Sequence, residues 1–284
     1  MRLSIAFSSI SNKFGDDNTI EIAKAAGFDA LDFSYYSAHE TEDVLGDGYR
    51  EYAKEMRKRF ERAGMVCNQA HAPFSLKYGG TFDTSDINYL HIVRAIESAS
   101  ILGAENIIVH SITTPYDVDI EEYNIAYFKT LVPYCEKFKI HIAIENLFIR
   151  DPKRKRLIGK FGSPKELNGL IDKIGSPWIV GCIDVGHSAI GGCEPEYFIS
   201  ELKPEYLRAL HIQDNDYLGD NHNLPFVGML DWEAIMKALK TAGYKGDLTF
   251  EIGSYTDKFP KELFPEMLKF IASVGRYLIS LYEK

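Results

Sequence analysis

Eight short runs of apolar, β-favouring residues alternate along the chain with longer stretches of helical periodicity, and this alternation constrains the fold more than any other feature. The runs cover 3–8, 30–33, 66–71, 106–110, 141–145, 179–184, 207–212 and 248–252. Helical stretches fill 17–26, 48–63, 86–102, 120–138, 164–174, 195–202, 231–242 and 261–282. Strict strand–helix alternation demands a parallel sheet with helical crossovers. Eight units are the number that closes a (β/α)8 TIM barrel, and 284 residues suit one such barrel at about 250 residues. An open doubly wound sheet is the alternative. No Pro/Gly/Ser linker or composition shift divides the chain, so one domain over 1–284 with a C-terminal helix is expected. Gly27, Gly64, Gly103 and Gly243 sit where helices should end, and Ser163-Pro164 where one should begin. The longest strand-to-helix loops, 71–85, 145–163 and 212–230, then rise from the C-terminal face, where barrels carry their sites.

The strand ends carry the chemistry. Strands three to eight end in NQAH, IIVH, IAIEN, GCID, ALH and LTFE. These place His71, His110, Glu145 with Asn146, Asp184, His211 and Glu251, and His187 follows Asp184 closely. One such residue alone is an ordinary polar strand end. Six in one register would converge on one mouth, where carboxylates repel unless a cation stands between them. Three carboxylates and an imidazole suit Mn²⁺, Mg²⁺ or Co²⁺, and Zn²⁺ as well. In the loop after strand seven, Asp220 and His222 are two apart and can face one side of an extended segment. A polar surface turn is the plain alternative there.

The formal net charge is −9, from 41 acidic and 32 basic residues, which argues against nucleic acid and anionic membranes as partners. The run Lys153-Arg154-Lys155-Arg156 reads as a solvated loop, with an anion site as the alternative. Four cysteines without a C-x-x-C pair suit a reducing, cytoplasmic setting. The N-terminus lacks signal-peptide character, and no run approaches a membrane span. Seventeen Tyr and 17 Phe leave room for a homo-oligomer interface.

In order, HAPF, IENL, IDVGH, LHIQDN, the D-x-H…G-x-x-DW segment and FEI resemble the xylose isomerase-like TIM-barrel superfamily. Its sugar isomerase/epimerase branch shares a fold with the apurinic endonuclease type. The resemblance implies that Glu145, Asp184, His211 and Glu251 are metal ligands, that Glu145 and Glu251 exchange the substrate proton, and that His187 binds substrate. It also matches His71, His110, Glu145, Asp184, His187, His211, Asp220, His222 and Glu251 to the nine ligands of a three-zinc endonuclease. Two departures stand out. The ketose epimerases usually carry an arginine shortly after the strand-seven histidine, and here none lies between Arg208 and Arg276. The loop 71–85 has only Lys77, and 212–230 has no Lys or Arg, so DNA-gripping charge is missing.

The sequence therefore points to a divalent-metal-dependent sugar or sugar phosphate isomerase or epimerase of carbohydrate metabolism. Glu145 and Glu251 are its expected bases. His71, His110, His187, Asn146, Asp220 and His222 are its expected substrate contacts, with Phe74 or Trp232 as walls of the pocket. A zinc phosphodiesterase and a non-catalytic sugar-binding barrel are the rival readings.

Overall fold

The computed structural model describes residues 1–36, 42–74, 83–112, 120–151 and 156–284. The run 153–156 therefore lies almost wholly outside the described residues, as does Lys77. The strands are β1 (Leu3–Ala6), β2 (Ala30–Ser34), β3 (Val66–His71), β4 (Asn106–Val109), β5 (His141–Glu145), β6 (Leu147–Asp151), β7 (Arg156–Lys160), β8 (Ile179–Asp184), β9 (Leu207–His211) and β10 (Leu248–Phe250). Eight form one parallel sheet in the order β10-β1-β2-β3-β4-β5-β8-β9. A parallel bridge from Ile212 to Phe250 joins its two ends, with Ile212 N donating to Thr249 O at 2.8 Å. The architecture is the expected (β/α)8 TIM barrel, and its C-terminal helix is Phe264–Glu283.

Alternation within each strand explains where the site forms. Residues two apart share a face. Ile108, Ala143, Val180, Cys182 and Ala209 form a small apolar cluster separate from the large core between strands and helices. Stepping two residues up from these gives His110, Glu145, Asp184 and His211, so the proposed ligands cap an inward-facing column. The other face of the same strands, with Ile107, Ile142, Ile144 and Ile183, is buried under the helices.

Local signals hold at most of the expected places. Gly27, Gly64 and Gly103 close their helices in the left-handed conformation. Ser163 and Glu166 form a reciprocal capping box at the helix Pro164–Ile174. The differences cluster after strand ends. Strand one stops at Ala6, because Ser8 opens a helix, Ser8–Phe14, that turns over the mouth. The expected loop 145–163 contains the antiparallel hairpin β6–β7. A short helix, Val185–Ile190, follows β8 directly, and the Asp184 side chain caps it by accepting from His187 N at 2.7 Å. Among the described residues no helix is long and apolar enough to cross a membrane.

Candidate active site

Among the described residues, three groups of ligand-capable atoms lie at the C-terminal mouth of the barrel, each with its atoms within 4.8 Å of one another. The central group is Glu145, Asp184, His211 and Glu251. A second is His71, His110 and Glu145, and a third is His187, Asp220 and His222. In the centre, His211 Nδ1 is 2.9 Å from Glu145 Oε1 and 3.0 Å from Glu251 Oε2. In the second group, His110 Nε2 is 2.8 Å from Glu145 Oε2 and 3.0 Å from His71 Nε2. In the third, Asp220 Oδ2 is 3.0 Å from His222 Nε2, and Asp220 Oδ1 is 3.5 Å from His187 Nε2.

The backs of the imidazoles decide which nitrogen faces inward. A carbonyl can only accept, so it fixes the tautomer. His71 Nδ1 donates to Ala72 O at 2.7 Å, His222 Nδ1 to Glu251 O at 2.7 Å, and His187 Nδ1 to Asn146 O at 3.2 Å. Each leaves Nε2 for the mouth. His211 is reversed: its Nε2 lies 3.3 Å from Asp32 Oδ2, an ion-pair contact off the line of a hydrogen bond, and its Nδ1 faces the glutamates. Tetrahedral ligand shells at about 2.0–2.1 Å put donor atoms about 3.3 Å apart, so this donor set fits a divalent cation.

Electrostatics agree. Burial disfavours charge on every group here, but the partners outweigh it at several. His187 and His222 are held above the ordinary imidazole range by surrounding carboxylates, His222 at about 9, and His211 by Cys182 together with Glu251 and Glu145. Glu145 and Glu251 are held below the usual carboxylate range, because the imidazolium of His211 overcomes their burial. Asp184 goes the other way, to about 6, pushed up by burial and by the charges of Glu145, Glu251 and Asp220. His110 is pushed down by burial. Without a cation, protons on imidazoles thus balance the carboxylates.

The structure brings His71, His110, Glu145, His187, Asp220, His222 and Glu251 to the wall of one cavity of about 590 Å³. Asp184 and His211 lie beneath it, fully buried. Asn146 is a correction: it is fully buried, its amide accepts from Asp184 N at 2.8 Å and donates to Asp184 O at 3.0 Å, and so it ties β5 to β8 rather than lining the cavity. Trp232 is another, since its indole donates to Asp214 at 2.9 Å away from the mouth, whereas Phe74 does line it. Asp220 and His222 do share a side, but by a turn: His222 has φ 45°, so strand-like alternation is not the reason.

Sequence reasoning missed four contributors. Asp32 lies on β2 behind His211 and also accepts from Gln69 Nε2 at 3.0 Å. Its signal was a carboxylate inside the apolar run ALDFS. Tyr36 donates to Glu251 Oε1 at 2.7 Å and stacks on Phe74, with ring centroids 5.0 Å apart. Gln213 donates to Asp220 Oδ1 at 2.7 Å and accepts from His222 N at 3.1 Å, which orients the outer pair. Lys160 lines the cavity from the hairpin, and burial pushes its pKa down to about 7.

Residues 20–274 match the family described as xylose isomerase-like TIM barrel. The chain belongs to this family. The uncharacterized protein MJ1311 of Methanocaldococcus jannaschii is 26% identical over 230 residues, which is 78% of this chain and 75% of that one. The uncharacterized protein y4fM of Sinorhizobium fredii is 30% identical over 164 residues, and there the chain spans only 50% of its relative's length. Among solved structures, a D-tagatose 3-epimerase-like protein aligns with a TM-score of 0.71 at 22% identity, covering 98% of this chain and 100% of that one. The IolI protein, solved with a bound zinc atom, aligns at 0.72 and 14% identity, covering 100% and 98%. At these identities the structural likeness speaks for the barrel.

Proposed function

We propose that this xylose isomerase-like barrel is a divalent-metal-dependent sugar isomerase or epimerase in which Glu145 and Glu251 exchange the substrate proton. The observation that carries the reading is the pair of carboxylates, Glu145 and Glu251, at 2.9 and 3.0 Å from His211 Nδ1 and both lining one cavity. Glu145, Asp184, His211 and Glu251 would hold the cation. When bound there it would supply positive charge that makes a proton beside a sugar carbonyl easier to remove.

The chain's own residues supply the rest. Glu145 and Glu251 stand on β5 and just beyond β10, with β8 and β9 between them around the barrel. A sugar carbon above His211 lies between the two. One carboxylate takes the proton and the other returns one from the opposite face, which inverts that carbon. Return to the neighbouring carbon interconverts aldose and ketose. Tyr36 donates to Glu251 and keeps its carboxylate aimed. The stacked Tyr36 and Phe74 rings wall the cavity and limit water. A structural relative described as D-tagatose 3-epimerase-like supports this reading. The test is incorporation of solvent tritium into a panel of sugars by the cation-loaded protein; no incorporation into any would overturn it.

A second reading, a zinc phosphodiesterase, rests on the two outer groups, which share Glu145 or border the central one. It requires three ions per chain and cleavage of a phosphodiester. Elemental analysis with an abasic-DNA nicking assay separates the two, because proton exchange calls for the central ion alone.

A further inference from the structure

Two of the strands that carry mouth histidines are bulged. Between β2 and β3 the register pairs Leu31 with Cys67 and then Asp32 with Gln69, so Asn68 is an extra residue. Between β8 and β9 it pairs Gly181 with Leu207 and then Cys182 with Ala209, so Arg208 is extra. Strict alternation would put Cys67, Gln69 and His71 on one face, and Leu207, Ala209 and His211 likewise. Cys67 and Leu207 instead belong to the large core between strands and helices. His71 lines the cavity, and His211 lies beneath it. One extra residue per strand thus turns each histidine inward. The first bulge is pinned from inside the barrel: Ser4 Oγ donates to Asn68 Oδ1 at 2.8 Å, and Asn68 Nδ2 to Thr249 Oγ1 at 3.1 Å.

Gln69 joins the two bulged strands. β3 and β9 stand four strands apart whichever way the barrel is followed, so they face each other across it. The rings of His71 and His211 stack across that gap with centroids 5.8 Å apart. Below them, Gln69 Nε2 donates to Asp32 Oδ2 at 3.0 Å and to Leu210 O at 3.4 Å, using both of its amide protons. Leu210 directly precedes His211 on β9, and Asp32 Oδ2 lies 3.3 Å from His211 Nε2. One buried amide therefore grips the backbone beside His211 and the carboxylate behind its ring. An apolar side chain would fill the same space without the cost of burying an amide, so what Gln69 supplies is its two bonds.

We infer that Gln69 is a positioning residue for His211. It acts through Asp32 and fixes the imidazole whose Nδ1 contacts Glu145 and Glu251. Gln69 itself stands outside the three ligand-capable groups and the cavity wall. The inference deepens the isomerase reading above and rests on it for the work of the two glutamates.

The experiment is a double-mutant cycle on binding of Mn²⁺, measured by competition with a chelating dye, for the wild type, Gln69→Met, Asp32→Asn and the double variant. The central ion is the one lost in His211→Asn. Gln69→Met keeps the volume and removes the donor, and should weaken the central ion about 10-fold, the lower end of the range for a partner outside the ligand shell. With Asp32 already changed, Gln69→Met should weaken it by less than about 2-fold more, because its path to His211 is gone. A residue that only fills the barrel would act equally with and without Asp32. Unchanged affinity in Gln69→Met, or losses that multiply in the double variant, overturns the inference. Should Gln69→Met not fold, Gln69→Asn, which keeps an amide but shortens its reach, takes its place in the cycle. If the wild type binds no Mn²⁺, a crystal structure of the Gln69 variant decides: Asp32 and His211 displaced supports the inference, and both unmoved overturns it. Affinity needs no turnover, so a coupled loss without tritium exchange counts against the isomerase reading alone. Multiplying losses with normal exchange count against this inference alone.

Discussion

Glu145 Oε1 lies 2.9 Å from Nδ1 of His211, deep in the barrel, and the other oxygen of the same carboxylate lies 2.8 Å from His110 Nε2. Glu145 thus joins the central group to an outer one, while Glu251 touches the centre from the far side. Glutamine at either position keeps the volume and removes the base. Glu145→Gln and Glu251→Gln are each expected to slow tritium exchange by about 10²- to 10⁴-fold. Full exchange by either variant would end the two-base assignment, and circular dichroism checks that both fold.

Asp32 acts through His211. Its carboxylate sits 3.3 Å behind Nε2 and holds Nδ1 toward the glutamates. Partners of this kind raise the basicity of a ligand imidazole and fix its orientation. Asp32→Asn should weaken binding of the central cation by about 10- to 100-fold. Competition against a chelating dye measures this directly, and unchanged affinity would show that Asp32 only fills space.

Much of this was legible in the sequence, and the reason is periodicity. Residues with an inward partner two positions below them, such as Glu145 above Ala143 and Asp184 above Cys182, advertise both their strand and their face. Asp32 escaped because β2 ends in no ligand-type residue, and a mid-strand carboxylate has no meaning until His211 is seen behind it. Lys160 escaped because the hairpin β6–β7 interrupts the β/α rhythm, and 145–163 read as loop. Asn146 misled for the opposite reason: its neighbour Glu145 faces the mouth, so Asn146 must face away.

The charge balance gives a pH dependence. His222 is raised to about 9, since Asp220 and Glu251 outweigh its burial, while an unfolded histidine titrates near 6.5. A raised pKa means that the folded chain holds protons the unfolded one has lost. The stability it contributes is complete below about pH 6.5 and is lost as pH rises through about 9. His187 and His211 are shifted in the same direction, and the lowered carboxylates stay charged throughout this window; Lys160, lowered by burial to about 7, works against them above that pH but is one group against three. The metal-free protein should therefore melt at progressively lower temperature from pH 6.5 to 9. The rise in Tm on adding Mn²⁺ or Zn²⁺ should grow over the same range, because the cation no longer competes with protons. A flat metal-free profile would contradict this balance.

The loop 212–230 positions the outer pair, and Asp214 holds the loop. Its carboxylate, fully buried, accepts from Asn215 N at 2.9 Å, Leu230 N at 3.2 Å, Phe226 N at 2.9 Å and Trp232 Nε1 at 2.9 Å. Gly228 lies so close that a Cβ there would collide with Asp214 Oδ1 and Asn215 O. Asp214→Ala leaves several buried donors unsatisfied and should cost about 3 kcal/mol, at about 1–3 kcal/mol for each such group with partial rescue by water. Gly228→Ala should cost about 1–3 kcal/mol through overpacking. Urea unfolding measures both. Because Asn223 pairs with Asp214 across an antiparallel bridge, one residue beyond His222, loosening Asp214 should also loosen Asp220 and His222. Any ion held by His187, Asp220 and His222 would then weaken in Asp214→Ala, while any ion held by Glu145, Asp184, His211 and Glu251 should stay. Equal weakening of both would mean that the loop supports the whole mouth rather than its outer edge.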